Sequence, residues 1–156
     1  MSYVKTIYDD LSYNVIGAAM EVHNELGPGF PEKVYQEALV IALAERGLPA
    51  GKEAPFMAEF HDQPVGEFRL DVLVDEALVV ELKALDELDS KHQQQVISYL
   101  TVTGREVGLL LNFGTQRLQK KRIFPPQRVQ DNQAYQRRRD AWQPAWLQRK
   151  QQKGQP

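Results

Sequence analysis

Between Gly66 and Val74 apolar and polar side chains alternate strictly, with Phe68, Leu70, Val72 and Val74 on one face and Glu67, Arg69 and Asp71 on the other. A period of two is the mark of a half-buried strand. Leu78, Val80 and Leu82 repeat it at once, so the loop between the runs decides which faces coincide. A two-residue turn at Asp75-Glu76 would set Val74 opposite Ala77 and every apolar residue against a polar one. A three-residue loop, Asp75-Glu76-Ala77, sets Val74 opposite Leu78, Val72 opposite Val80 and Leu70 opposite Leu82, which buries both apolar faces together. The same register puts Asp71 opposite Glu81, with Lys83 two residues further on that face, ~7 Å along the strand.

Two neighbouring carboxylates repel, and a divalent cation relieves the repulsion. Hard oxygen ligands with few other protein groups suit Mg²⁺ or Mn²⁺. A lysine beside them would orient or help deprotonate a water and stabilise charge on a phosphoryl oxygen, as hydrolysis of a phosphodiester requires. The competing reading of so short a pattern is a hairpin salt bridge on a solvated face.

The other elements follow from changes of hydrophobic period. Leu11, Val15, Ala18, Val22 and Leu26 define one face of a helix from Asp10 to Leu26, stopped by Gly27-Pro28-Gly29. Pro31 opens a second helix that runs to about Arg46, with Gly47 closing it. Residues 54–60 read as a short strand and His61 to Pro64 as a turn. A third helix spans about Asp86 to Thr103, Val107 to Asn112 is apolar enough for a strand buried on both faces, and Arg117 to Phe124 adds an edge strand. The fold class is α/β: two N-terminal helices, an antiparallel three-strand meander, a helix, then one or two further strands in a mixed sheet.

Composition narrows the chemistry. The chain contains no Cys, which excludes disulfide scaffolds, thiolate zinc sites, iron–sulfur clusters and cysteine nucleophiles. No apolar run reaches the ~20 residues of a membrane span and the N-terminus lacks a signal peptide's pattern, so a soluble cytoplasmic protein is expected. Of 19 basic and 21 acidic residues, seven basic and two acidic fall in 125–156, leaving 12 and 19, a balance of −7, in 1–124. Pro125-Pro126 marks the border, and the Gln- and Arg-rich segment 125–156 reads as a loosely ordered tail. Trp142 and Trp146 stand at helical spacing within it, which leaves room for a short docked helix, although Pro144 between them argues against a regular one.

Leu70-Asp71, ten residues before Glu81-Leu82-Lys83, resembles the metal-binding core of the PD-(D/E)xK nuclease superfamily, although Arg69-Leu70 replaces its usual proline. Gly29-Phe30-Pro31-Glu32-Lys33-Val34-Tyr35 matches in full the signature of the GxxExxY protein family, a branch of that superfamily, and the segments Val22 to Gly29 and Gly108 to Gly114 are also similar to it. The likeness covers about residues 8 to 124. It implies a restriction-endonuclease-like core and Mg²⁺ (or Mn²⁺) held by Asp71, Glu81 and the backbone carbonyl of Leu82. Glu32 would supply a third acid from the packed side of the second helix, as a ligand of the metal or its water, Lys83 would position the nucleophile, and Gln95 would orient the cluster. Gln95 to Tyr99 matches the QxxxY pattern of RecB-like members. Tyr35 and Tyr99 are read as supporting residues, and His23 and His92 as packing rather than ligating groups.

The resemblance implies metal-dependent hydrolysis of nucleic acid, most simply DNA, and by analogy a homodimer. The rival reading is a non-catalytic module that keeps a nuclease-like scaffold to bind nucleic acid or protein. An acidic compact region is a poor DNA binder, so Arg117, Lys120, Lys121 and Arg122 on the last strand, together with the basic tail, are the candidate nucleic-acid contacts. The alternative for the strand is an edge guarded from aggregation by its lysines.

Overall fold

The computed structural model describes residues 3–143. Its order is α1 (Tyr3–Leu26), α2 (Glu32–Glu45), β1 (Ala50–Phe60), β2 (Gln63–Val74), β3 (Leu78–Lys83), α3 (Ser90–Thr103), β4 (Val107–Asn112), β5 (Gln119–Ile123), α4 (Gln127–Gln130) and α5 (Gln133–Trp142). The five strands form one sheet in the order β1-β2-β3-β4-β5. Neighbours are antiparallel except β3 and β4, whose parallel pairing requires the crossover that α3 provides. This is a mixed α/β sheet with two helices ahead of it, consistent with a restriction-endonuclease-like fold.

Each face of the sheet buries its own core. Val72, Val74, Leu78, Val80, Leu82, Leu109 and Leu111 pack with Val15, Ala18 and Val22 of α1 and Leu39 and Leu43 of α2. Leu70, Leu73, Val79 and Leu110 pack on the opposite face with Val96 and Leu100 of α3. Gly108 permits the close approach of α3, since a Cβ there would lie 2.6 Å from Val96.

Several boundaries differ from the sequence reading. Helix α1 begins well before Asp10, because no Pro or Gly interrupts residues 3–10 and Tyr8 is buried. The turn expected at 61–64 shrinks, and β1 starts at Ala50, because the two strands pair along their whole length from Ala50↔Val74 to Phe60↔Gln63. Pro55 is tolerated because β1 is an edge strand. Helix α3 starts at Ser90 rather than Asp86: the Asp89 carboxylate accepts the Lys91 N–H at 2.9 Å, while the Asp89 N–H donates to His92 Nδ1 at 3.0 Å. That reciprocal cap fixes the start of the helix.

The expected loose tail is corrected for 127–142, where α4 and α5 dock against the domain. Tyr135 is buried and donates to the Arg105 carbonyl at 2.8 Å, and Trp142 Nε1 donates to the Gly104 carbonyl at 2.6 Å. The Arg105 guanidinium lies 4.4 Å from the Trp142 ring centre. A few aromatic anchors meeting unpaired carbonyls order this segment despite its polar composition. Trp146 lies outside the described residues.

Candidate active site

The expected hairpin register holds from Val74↔Leu78 to Val72↔Val80 and then stops. Leu70 and Leu82 do not face each other as partners but lie in opposite cores. The cause sits on the neighbouring strand. Glu53, between the pairs Lys52↔Val72 and Ala54↔Leu70, has φ +50, a left-handed conformation uncommon for a residue with a side chain. Ala50 packs with the α1/α2 core, whereas Ala54 and Phe56 pack with the α3 core. The hairpin therefore exchanges faces at Glu53 and Asp71, and β2 parts from β3 there.

Asp71 fills the resulting gap. One of its carboxylate oxygens accepts the Leu82 N–H at 2.9 Å, replacing the ladder bond that β2 no longer supplies. In an extended strand the N–H and C=O of one residue point the same way, so the Leu82 carbonyl faces the gap too. The next carbonyl, of Lys83, points the other way to the Phe113 N–H of the segment following β4.

The gap opens into a cleft of about 540 Å³ lined by Glu32, Lys33, Gln36, Glu37, Lys52, Glu53, Asp71 and Leu82. Leu82 has a fully buried side chain, so it contributes backbone. Four carboxylates against two ammonium groups make this a cation-attracting wall. Lys52 is tied to Glu37 at 2.7 Å.

Glu81 lies buried behind Asp71. Burial, then a hydrogen bond to Asp71 and its negative charge, push the Glu81 carboxyl far above the usual carboxylate range, with Lys83 and Glu32 also in its field. Burial and the charge of Asp71 likewise raise Glu32, and Lys83 opposes them. Glu32, Asp71, Glu81 and Lys83 thus share one electrostatic site. Two features differ from the sequence reading. Glu32 is exposed, because it is the first residue of α2 and stands one turn beyond the buried Tyr35 and Gln36. Among the described residues no three His, Asp or Glu side chains are gathered around one ion position, and Glu32 lines the cleft at its exposed side, in the field of Asp71.

A divalent cation nevertheless suits the donors present. Mg²⁺ commonly takes one or two carboxylates and keeps several waters. Asp71 and Glu81 could supply two, the Leu82 carbonyl faces the same gap, and burial beside Asp71 disfavours a bare Glu81 anion, which a cation would relieve.

Gln36 and Glu53 were not anticipated. Gln36 Nε2 donates to the Asp71 carbonyl at 2.8 Å and to Glu53 Oε1 at 3.2 Å, holding α2 to both residues of the crossing point. Its place four residues after Glu32, on the same helix face, was a usable signal. Glu53 had none, since its position depends on a left-handed residue within a strand.

The supporting residues are placed as follows. Tyr35 is buried, stacks on Phe113 at 4.6 Å, donates to the Gly27 carbonyl at 2.5 Å and accepts the Phe30 N–H at 3.2 Å. It fastens the loop that delivers Glu32. Gln95 Nε2 donates to Tyr99 Oη at 3.0 Å, and Tyr99 stacks on Phe68 at 5.0 Å. The Tyr99 hydroxyl is raised by burial and then by the charge of Glu81, so Gln95 borders the site through Tyr99. His92 caps α3, and His23 Nε2 bonds the Thr115 carbonyl at 2.9 Å.

The basic residues of β5 do not form one patch. Lys120 and Arg122 stand opposite Leu111 and Leu109, while Lys121 stands opposite Leu110, so they project to different faces. Arg122 pairs with Asp9. Arg117 is exposed in the preceding loop. Strand β5 also lies at the far edge of the sheet from the β2–β3 gap.

Residues 9–123 match the family model described as the PD-(D/E)XK nuclease superfamily, and the chain belongs to that superfamily. No curated protein matches it. Among solved structures it is similar to the crystal structure of SSO0001, with 21% identity and a TM-score of 0.50 over 60% of this chain and 50% of that one. The likeness is one of fold, and the chain spans about half the length of that protein. No helix among the described residues is long and apolar enough to cross a membrane.

Proposed function

We propose that this protein is a divalent-metal-dependent nuclease of the GxxExxY branch, hydrolysing phosphodiester bonds in DNA. The observation that carries the reading is the pairing of the half-buried Asp71 with the buried Glu81 beside Lys83, set where two strands part. Asp71, Glu81 and the Leu82 carbonyl would hold Mg²⁺ or Mn²⁺. When bound, the ion supplies charge neutralisation at the phosphate and acidifies water.

The remaining work falls to the chain's own groups. Lys83 orients the attacking water and neutralises charge developing on the phosphoryl oxygen. Glu32, at the cleft mouth with a raised pKa, accepts a proton from water or hands one to the leaving oxygen. Gln36 fixes the Asp71 backbone and Glu53, and Gln95 acts through Tyr99.

Purified protein incubated with supercoiled and linear DNA, and in parallel with RNA, should degrade DNA only when Mg²⁺ or Mn²⁺ is present, and Lys83→Ala should abolish the activity. Undiminished cleavage by that variant refutes the role of Lys83. Failure of Mn²⁺ to bind in calorimetry would favour a non-catalytic scaffold instead.

A further inference from the structure

A second concave surface lies at the other end of the β1–β2 hairpin. It is a groove of about 800 Å³ between the hairpin tip and α4/α5, closed on its inner side by Thr101 of α3. Arg138 bridges its walls, donating to the Thr101 carbonyl and the Glu59 carbonyl at 3.2 Å each. Arg128 and Arg137 line it, are exposed, and make no hydrogen bond or ion pair among the described residues. At the tip, Phe60 is 63% exposed and lies 3.9 Å, ring centre to ring centre, from His61. The groove's acids are Glu59 and Asp62.

We propose that this groove binds single-stranded nucleic acid, with Arg128 and Arg137 on phosphates and the Phe60–His61 pair as a stacking platform for a base. Uncommitted guanidinium groups flanking an exposed flat ring pair are the two parts of a sequence-tolerant single-strand site. An acidic peptide would satisfy the arginines but leave the rings unused. The groove's α4 and α5 wall lies beyond the segment 9–123 that matches the superfamily, whereas its hairpin-tip wall lies within it. Phe60 lies seven residue steps along β1 from Glu53, ~24 Å at ~3.4 Å per step. The Phe68–Tyr99 stack, with its hydroxyl in the field of Glu81, lies on the α3 face between them. A strand held at Phe60 would therefore lead toward Asp71. The proposal deepens the nuclease reading and rests on it for the cut, not for the binding.

The test is fluorescence anisotropy on the full chain in EDTA, with a labelled oligothymidylate of about 12 nucleotides, within the usual range of single-strand site sizes. The Arg128→Ala/Arg137→Ala double variant should bind more weakly, with a log K against log salt slope shallower by about 1.4, two phosphates at ~0.7 each. Phe60→Ala should weaken binding about tenfold or more, and Phe60→Leu should do the same with the fold intact by circular dichroism. An unchanged slope, full affinity in both Phe60 variants, tighter binding to a blunt duplex, or equal affinity for polyglutamate of matched charge would each overturn the proposal. Binding that responds as described while the parent cleaves nothing would sink the nuclease reading alone. Cleavage without the groove's responses would sink the groove alone.

Discussion

The Asp71 carboxylate accepts the amide hydrogen of Leu82 at 2.9 Å, across the gap where β2 leaves β3. A side chain thus does what the sheet ladder no longer does, and the same oxygen-rich gap faces the cleft. Removing the acceptor should strand a backbone donor. Asp71→Ala is expected to cost ~1–3 kcal/mol in urea denaturation, and Asp71→Asn, which keeps an acceptor, distinctly less. Equal stability of the two variants would contradict the assigned bond.

Glu81 links pH to stability. Its folded pKa lies above its ordinary value of 4.5 because of burial and Asp71, so the folded state holds a proton that the unfolded chain releases. Its contribution is therefore full below about pH 4.5 and is lost as pH rises toward the elevated folded value. Glu81→Gln should raise the Tm of metal-free protein at pH 8 more than at pH 5. Mn²⁺ should raise the Tm of the parent at pH 8 and have little effect on the variant. Thermal scans at the two pH values, with and without Mn²⁺, provide the check.

Gln36 tests whether the crossing point needs its tie to α2. Gln36→Met preserves helix and volume but frees the Asp71 carbonyl and Glu53. Metal affinity or cleavage is expected to fall ~10–100-fold, the usual effect of losing a group that orients ligands, with a loss of about 1 kcal/mol in stability. Titration calorimetry with Mn²⁺ on the variant gives the first number directly.

Docking of α5 depends on Gly104. Its φ is +74, and a Cβ would come within 2.4 Å of the Arg138 and Arg139 backbone. Gly104→Ala should combine left-handed strain of roughly 1–2 kcal/mol with displacement of α5, exposing Trp142 to quenchers. Intrinsic fluorescence and proteolysis near residue 133 would report the release. A protease-resistant variant would show that α5 is not seated on Gly104.

Periodicity carried most of the fold. The three-residue loop after Val74 was legible because burying one face of each strand tolerates no shift by one residue, and β3 and β4 took the expected bounds. The amphipathic face of α1 followed from spacing for the same reason. The tail was misread because composition averages over residues, whereas the docking of 127–142 rests on a few, namely Tyr135, Val129 and Trp142.

The linear order of residues, then, determined the paired strands that carry Asp71, Glu81 and Lys83, since alternation marks a strand without reference to anything distant. Only the tertiary structure decided how they meet. The face exchange at Glu53, the gap beside β3, the bridging of Gln36 and the exposed stance of Glu32 arise where separate elements compete for the same space. A local pattern records no such competition, because its outcome depends on the shape of every partner at once.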